Sequence, residues 1–113
     1  MSTLKIGIIG IGGIAKTHMP GWQESQHSEV IASSDINETV LKEWGSNYQI
    51  SRLYNDPYEL IEDPEIDVID ICTPNNYHCD LAIKAMEAGK HVFCEKPLAP
   101  IADQIRSMIK VRD

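Results

Sequence analysis

One stretch near the N-terminus restricts this chain more than any other. An apolar run, Leu4 to Ile9, leads straight into Gly10-Ile11-Gly12-Gly13-Ile14-Ala15. A segment of helical period follows, Ile14 to about Ser25, with Ile14, Ala15, Met19 and Trp22 on one face. A strand that is apolar at nearly every position must be covered on both sides, as strands of parallel sheets are. The G-x-G-x-x-A spacing suits a strand-to-helix turn that meets a diphosphate. Gly10 permits the tight turn, Gly12 lets the backbone approach the phosphates, and Ala15 lets the helix lie close on the strand. Free N–H groups and the positive end of the helix dipole then face the anion. Glycines are common, so the spacing alone says little; its place between a strand and a helix makes it a dinucleotide fingerprint.

The rest of the chain repeats the alternation. Glu29 to Ser34 reads as a second strand, and Asn37 as the cap of a helix with Val40, Leu41, Trp44 and Tyr48 on its apolar face. Arg52 to Tyr54 reads as a short third strand, followed by Asp56-Pro57-Tyr58-Glu59, a capping box with proline at the first helical position. Val68 to Cys72 is the fourth strand; a helix from about His78 to Ala88 turns Leu81, Ala82, Ala85 and Met86 inward and closes at Gly89. His91 to Cys94 is the fifth strand, and Ile101, Ile105, Met108 and Ile109 mark a last helix. Pro20 is expected to kink the first helix or shift its end. Such alternation predicts an α/β fold, a parallel sheet with helices on both faces, whose ligand crevice lies at the carboxyl ends of the strands.

Composition removes several functions. The 113 residues make one domain. Ten basic against 17 acidic residues give a net charge of −7, which argues against nucleic acid or an anionic membrane as partner. The three cysteines, Cys72, Cys79 and Cys94, form no Cys-x-x-Cys pair, so neither a disulfide framework nor a metal site is expected, and a reducing cytoplasm fits. Cys72 and Cys94 read as buried small hydrophobes. The apolar stretch Ile6 to Ala15 carries four glycines and makes a poor signal-peptide core. No segment approaches the roughly 18 to 20 apolar residues of a membrane span.

Three further positions sit just after strands. Asp35, 25 residues after Gly10, is placed to accept hydrogen bonds from an adenosine ribose. Its charge would repel the extra phosphate of NADP, which favours NAD; NADP stays open because Ser33 and Ser34 could accommodate a phosphate. In Thr73-Pro74-Asn75-Asn76-Tyr77-His78, Pro74 turns the backbone out over the crevice. Asn75 and His78 read either as turn and helix-start residues or as cofactor contacts. In Glu95-Lys96-Pro97, a lysine at the mouth of such a site can hydrogen-bond a substrate hydroxyl, and partial burial would lower its pKa toward acid/base use. Glu95 could hold that charge or contact the nicotinamide end; the bland alternative is a solvated Glu-Lys pair. His18 and His27 read as helix-face or loop residues, not as a base.

Cys72-Thr73-Pro74-Asn75 with His78, and the run Ala88-Gly89-Lys90-His91-Val92-Phe93-Cys94-Glu95-Lys96-Pro97, are more specific than the glycine turn. With that turn they resemble the family of glucose-fructose oxidoreductase, inositol dehydrogenase and the rhizopine-catabolism dehydrogenases (Gfo/Idh/MocA), from Ile6 to about Ala99. The resemblance implies a Rossmann-type doubly wound parallel sheet and a nicotinamide cofactor used to oxidise or reduce sugars, cyclitols and related compounds. It places Ile11, Gly12, Gly13 and Ile14 on the pyrophosphate and Asp35 on the adenosine ribose. Thr73, Pro74, Asn75 and His78 would line the cofactor's middle. Glu95, Lys96 and Pro97 would stand at the nicotinamide, with Lys96 as the catalytic lysine that binds the reacting hydroxyl or carries its proton. Family members add a second domain bearing the substrate pocket, a catalytic His or Asp and the interface of a homo-oligomer. Residues 1–113 are therefore expected to be the dinucleotide-binding domain, ending before its last strand, without the C-terminal substrate domain and inactive alone. The rival is a non-catalytic dinucleotide-binding module or fragment that self-associates or pairs with another chain, since an uncovered sheet edge invites association. A methyltransferase-like domain would leave Glu95-Lys96-Pro97 without a role.

Overall fold

The computed structural model describes residues 3–73 and 75–94, with side chains at all of these except 14, 75–79 and 94. Strands β1 (Leu4–Ile9), β2 (Ser28–Ser34), β3 (Arg52–Tyr54), β4 (Val68–Ile71) and β5 (His91–Cys94) alternate with helices α1 (Gly13–Glu24), α2 (Glu38–Tyr48), α3 (Pro57–Ile61) and α4 (Asn75–Glu87). Every strand pairing is parallel, in the order β3-β2-β1-β4-β5. The α/β sheet expected from the alternation is thus present, and β1 lies at its centre, with Ile6 opposite Val30 on one side and Val68 on the other.

Parallel strands need cover on both faces, and alternating side chains supply two apolar layers. Ile6, Ile8, Val68 and Cys72 point toward α1 and α2, where Ala15, Met19, Leu41 and Trp44 meet them. Ile9, Ala32, Ile69 and Ile71 point the other way, against Leu60 and Ile61 of α3 and Leu81, Ala82 and Ala85 of α4. Ile6, Ile8 and Ile69 are fully buried, and each such side chain contributes about 1.5–3 kcal/mol relative to exposure.

Element ends show where local chemistry decides. Asn37 Oδ1 accepts from Val40 N–H at 3.1 Å and closes α2 as expected. Val40 itself stays exposed, so the inner face of that helix is Leu41, Trp44 and Gly45. Asp56 caps α3 by accepting from Tyr58 N–H at 2.9 Å, with Pro57 opening the helix. Gly89, with φ +82°, ends α4; Lys90 N–H bonds to Ala85 O and Gly89 N–H to Met86 O, the paired closure of a Schellman motif. Pro20 does not end α1, which runs on to Glu24, because Trp22 in its last turn is anchored to the sheet through Asp70. Helix α4 begins at Asn75, three residues before the expected start. The last helix expected around Ile101 lies outside the described residues.

At the far end of the sheet Asp63 gathers β3 into α3. Its carboxylate accepts from Arg52 at 3.1 Å and from the Tyr54 hydroxyl at 2.9 Å, and its Oδ1 from Glu65 N–H at 3.0 Å. Burial pushes the Asp63 carboxyl pKa up, but the hydrogen bonds from Glu65 N–H, Tyr54 and Arg52 outweigh it and hold the group below its usual value.

Candidate functional site: a crevice at the switch point

From β1 the chain builds outward through β2 to β3, then returns to lay β4 on the other side of β1. Connections therefore leave β1 and β4 in opposite directions, and the gap between them is where such sheets take ligands. A cavity of about 930 Å³ opens there, lined by the Gly10–Gly13 turn, Asp35, Ile36, Tyr58 and Thr73 among others.

The turn is built as its glycines require. Gly10 has φ +85° and donates its N–H to Ser34 O at 2.8 Å. A Cβ on Gly10 would stand 2.8 Å from Thr73 Cγ2, 3.0 Å from Thr73 N and 3.1 Å from Cys72 C, so the turn lies flat on the end of β4. At Gly12 the situation is the reverse: a Cβ there or on Gly13 would meet no atom of the described residues within 4 Å. Gly12 is the N-cap of α1, and among the described residues no side chain caps that helix, whereas Asn37 and Asp56 close α2 and α3. The tip of α1 thus presents main chain to the open crevice.

Asp35 stands at the end of β2, beside that turn. Its Oδ2 accepts from Ile11 N–H at 3.1 Å and its Oδ1 from Asn37 N–H at 2.8 Å. The acid is fixed at the rim, and the Ile11 amide expected at a pyrophosphate is already engaged by it, because β2 neighbours β1 and brings the carboxylate within reach. The open edge of the tip is consequently Gly12–Gly13. Ser33 and Ser34 are buried, and Ser34 borders the crevice. Ser33 Oγ accepts from Trp44 Nε1 at 2.8 Å. Ser34 Oγ has no hydrogen-bond partner among the described residues, a polar group under the crevice that a water or ligand group would satisfy.

Thr73 lines the crevice. Asn75 and His78 fall in the first turn of α4; their side chains, the side chain of Ile14, and Pro74 lie outside the described residues. So do Glu95, Lys96 and Pro97; β5 ends at Cys94 opposite Ile71, on the carboxyl edge that carries the crevice. Ile36, 88% exposed, and Tyr58, 40% exposed, stand on the rim next to Asp35 and were not foreseen. The available signal was an isoleucine in a polar turn, Asp35-Ile36-Asn37.

A second polar cluster lies under α1. Asp70, in the middle of β4, has no solvent exposure. It accepts from Trp22 Nε1 at 2.8 Å, and His18 Nδ1 stands 2.8 and 3.0 Å from its two oxygens. Cys72 Sγ is 3.4 Å from Asp70 Oδ1 and 3.5 Å from His18 Nδ1. Phe93 stacks on His18 with ring centroids 5.2 Å apart. His18 is therefore a helix-face residue turned inward onto the sheet, with its side chain buried. Asp70, flanked by Ile69 and Ile71, is the only visible hint in sequence.

A switch-point crevice faced by an open helix tip, with an acid fixed at the end of the neighbouring strand, defines a dinucleotide-binding α/β domain. The pattern of the Gfo/Idh/MocA group, described as "Oxidoreductase family, NAD-binding Rossmann fold", matches residues 4–113, and the chain belongs to that family. Myo-inositol 2-dehydrogenase of Thermotoga maritima is 37% identical over 107 residues, 95% of this chain and 32% of that protein. The structure of Lactobacillus casei scyllo-inositol dehydrogenase with bound NAD(H) and scyllo-inositol superposes with a TM-score of 0.88 at 28% identity, over 97% of this chain and 33% of that one. Biliverdin reductase from Synechocystis, in complex with biliverdin and NADP+, superposes with a TM-score of 0.89 at 28% identity, over 96% of this chain and 34% of that one. The chain spans about a third of the length of the curated relatives it matches. No helix among the described residues is long and apolar enough to cross a membrane.

Proposed function

We propose that this chain is the cofactor-binding part of an oxidoreductase that moves a hydride between a nicotinamide dinucleotide and a hydroxyl-bearing carbon of a cyclitol, sugar or related polyol. The observation that carries the reading is the α1 tip, uncapped by any side chain and open at Gly12 and Gly13. The inositol dehydrogenases among its relatives support the substrate class. The dinucleotide, when bound, supplies the hydride chemistry. The chain's residues position and discriminate. Main-chain amides at Gly12 and Gly13 take the diphosphate with help from the helix dipole. Asp35 accepts from the ribose hydroxyls and disfavours a 2′-phosphate, so NAD is preferred to NADP. Ile36 gives the adenine an apolar support. Thr73, Pro74, Asn75 and His78 line the middle of the cofactor. Glu95 and Pro97 stand at the nicotinamide end, and Lys96 binds the reacting hydroxyl or carries its proton. Residues 1–113 then form the dinucleotide domain of a cytoplasmic homo-oligomer, and residues beyond them choose the substrate.

Titration of NADH fluorescence tests this. Hydrogen bonds to a charged group are worth about 1.5–3 kcal/mol, so Asp35→Ala should weaken NAD(H) binding roughly 10- to 150-fold. NADP(H) binding should change much less, because the same substitution removes a repulsion. Equal losses for both cofactors, in a variant whose circular dichroism is unchanged, would remove Asp35 from the ribose.

A further inference from the structure

The geometry points to a zinc-type metal site between α1 and β4, formed by His18, Asp70 and Cys72. Asp70 and Cys72 are two residues apart where the chain leaves β4 and face α1 together, and His18 descends onto them from that helix. His18 Nδ1, Asp70 Oδ1 and Cys72 Sγ form a triangle with edges of 3.0, 3.4 and 3.5 Å. Tetrahedral zinc with bonds of about 2.0 Å to nitrogen, 2.1 Å to oxygen and 2.3 Å to sulfur sets such atoms about 3.4–3.6 Å apart. Two edges already agree, and the third must open by about 0.4 Å.

The second oxygen of the carboxylate is occupied in the way a metal ligand's outer oxygen usually is. Asp70 Oδ2 accepts from Trp22 Nε1 at 2.8 Å and also stands 2.8 Å from His18 Nδ1; with an ion bound, His18 Nδ1 would exchange its contact with Asp70 for the metal, while the Trp22 bond fixes the carboxylate and leaves Oδ1 toward the ion. The donor set is one imidazole, one thiolate and one carboxylate, which suits zinc or cobalt and not magnesium or calcium. Its charge also balances. A carboxylate and a thiolate offset a dication, so the wholly buried Asp70 carries no net field into the core. Binding displaces the thiol proton, so affinity rises with pH.

This departs from the expectation drawn from the missing Cys-x-x-Cys pair. Here the ligands come from a helix and a strand, with His18 and Asp70 separated by 52 positions, so no short spacing could announce them. The ion would pin α1 to β4 beneath the open tip. The site stands independently of the cofactor assignment.

Cobalt(II) titration of the chelator-treated protein tests it. One equivalent should produce a thiolate-to-cobalt charge-transfer band in the near ultraviolet with intense visible bands of four-coordinate cobalt, and zinc should discharge both. Cys72→Ser should abolish the charge-transfer band, while Cys79→Ser and Cys94→Ser keep it. Trp22→Phe, which removes only the outer bond, should weaken cobalt about 10- to 100-fold. His18→Gln should weaken it at least as much and serves if Cys72→Ser does not fold. Absence of the band in the unaltered protein, its survival in Cys72→Ser, or full affinity in His18→Gln would overturn the site and leave the cluster as a hydrogen-bonded clip.

Discussion

Alanine at Gly10 and alanine at Gly12 should have opposite signatures, although both residues belong to one turn. At Gly10 the backbone sits at φ +85°, and holding an alanine in the left-handed region costs about 1–2 kcal/mol. The new methyl would also press on Thr73 N at 3.0 Å and Cys72 C at 3.1 Å. These are backbone atoms of the chain leaving a central strand, so the ends of β1 and β4 must part. Overpacking of this kind costs about 1–3 kcal/mol. The sum, roughly 2–5 kcal/mol, is a large part of the 5–15 kcal/mol that keeps a domain folded, and in thermal melts it should appear as a fall of at least about 8 °C. At Gly12 φ is −119° and no atom of the described residues lies within 4 Å of the added carbon. Only the weaker N-cap preference of alanine acts, so stability should fall by about 1 kcal/mol or less. Binding of NADH should nevertheless collapse, because the methyl fills the space through which a diphosphate reaches the amides. Urea unfolding and NADH fluorescence, run on both variants, separate the two effects. A Gly10→Ala protein as stable as the parent, or a Gly12→Ala protein that binds NADH normally, would refute the account of the turn.

Three further outcomes are expected. The Asp63 carboxyl is held below its ordinary value of about 4 by Glu65 N–H, Tyr54 and Arg52 against the opposing effect of burial. Its stabilisation is therefore complete above that value and lost as pH falls through the lower folded pKa; Asp63→Asn should flatten the acid limb of urea midpoint against pH, and an unchanged limb would exclude Asp63 from it. Asn37→Ala should cost about 1 kcal/mol through the lost cap while Asn37→Asp keeps it, and equal melts for the two would count against the observed bond to Val40. Lys96→Met in the active enzyme should depress turnover strongly with cofactor affinity nearly intact; undiminished turnover would take Lys96 out of the chemistry.

How much was legible beforehand depended on whether the deciding partner lies nearby in sequence. Arg52–Tyr54 and His91–Cys94 match their expected spans to the residue, because each is a short run bounded by turn or helix-closing residues. Asp35 is legible through its spacing from Gly10, yet its bond to Ile11 is not, since that needs β1 and β2 side by side. The start of α4 is read late because Asn75-Asn76-Tyr77 carries no apolar spacing that separates helix from loop. Asp70 is missed for a stronger reason. Its donors His18 and Trp22 lie 52 and 48 residues away, and an acid within an apolar run has no local pattern to declare it.

The same contrast explains why the open tip falls on α1 rather than on its neighbours. Helices α2 and α3 satisfy their own first amides with Asn37 and Asp56 and so have nothing left to offer an anion. A serine in place of Gly12 would do likewise for α1, setting a hydroxyl where a phosphate oxygen should stand. Glycine at that cap gives up only about a few tenths of a kcal/mol relative to a capping side chain. The loss is easily absorbed, because Ala15 and Met19 bury against β1 and the bond from Trp22 to fully buried Asp70 holds the helix down from its far end. A helix anchored at its last turn can leave its first turn bare, and departures from local rules gather where a chain binds something.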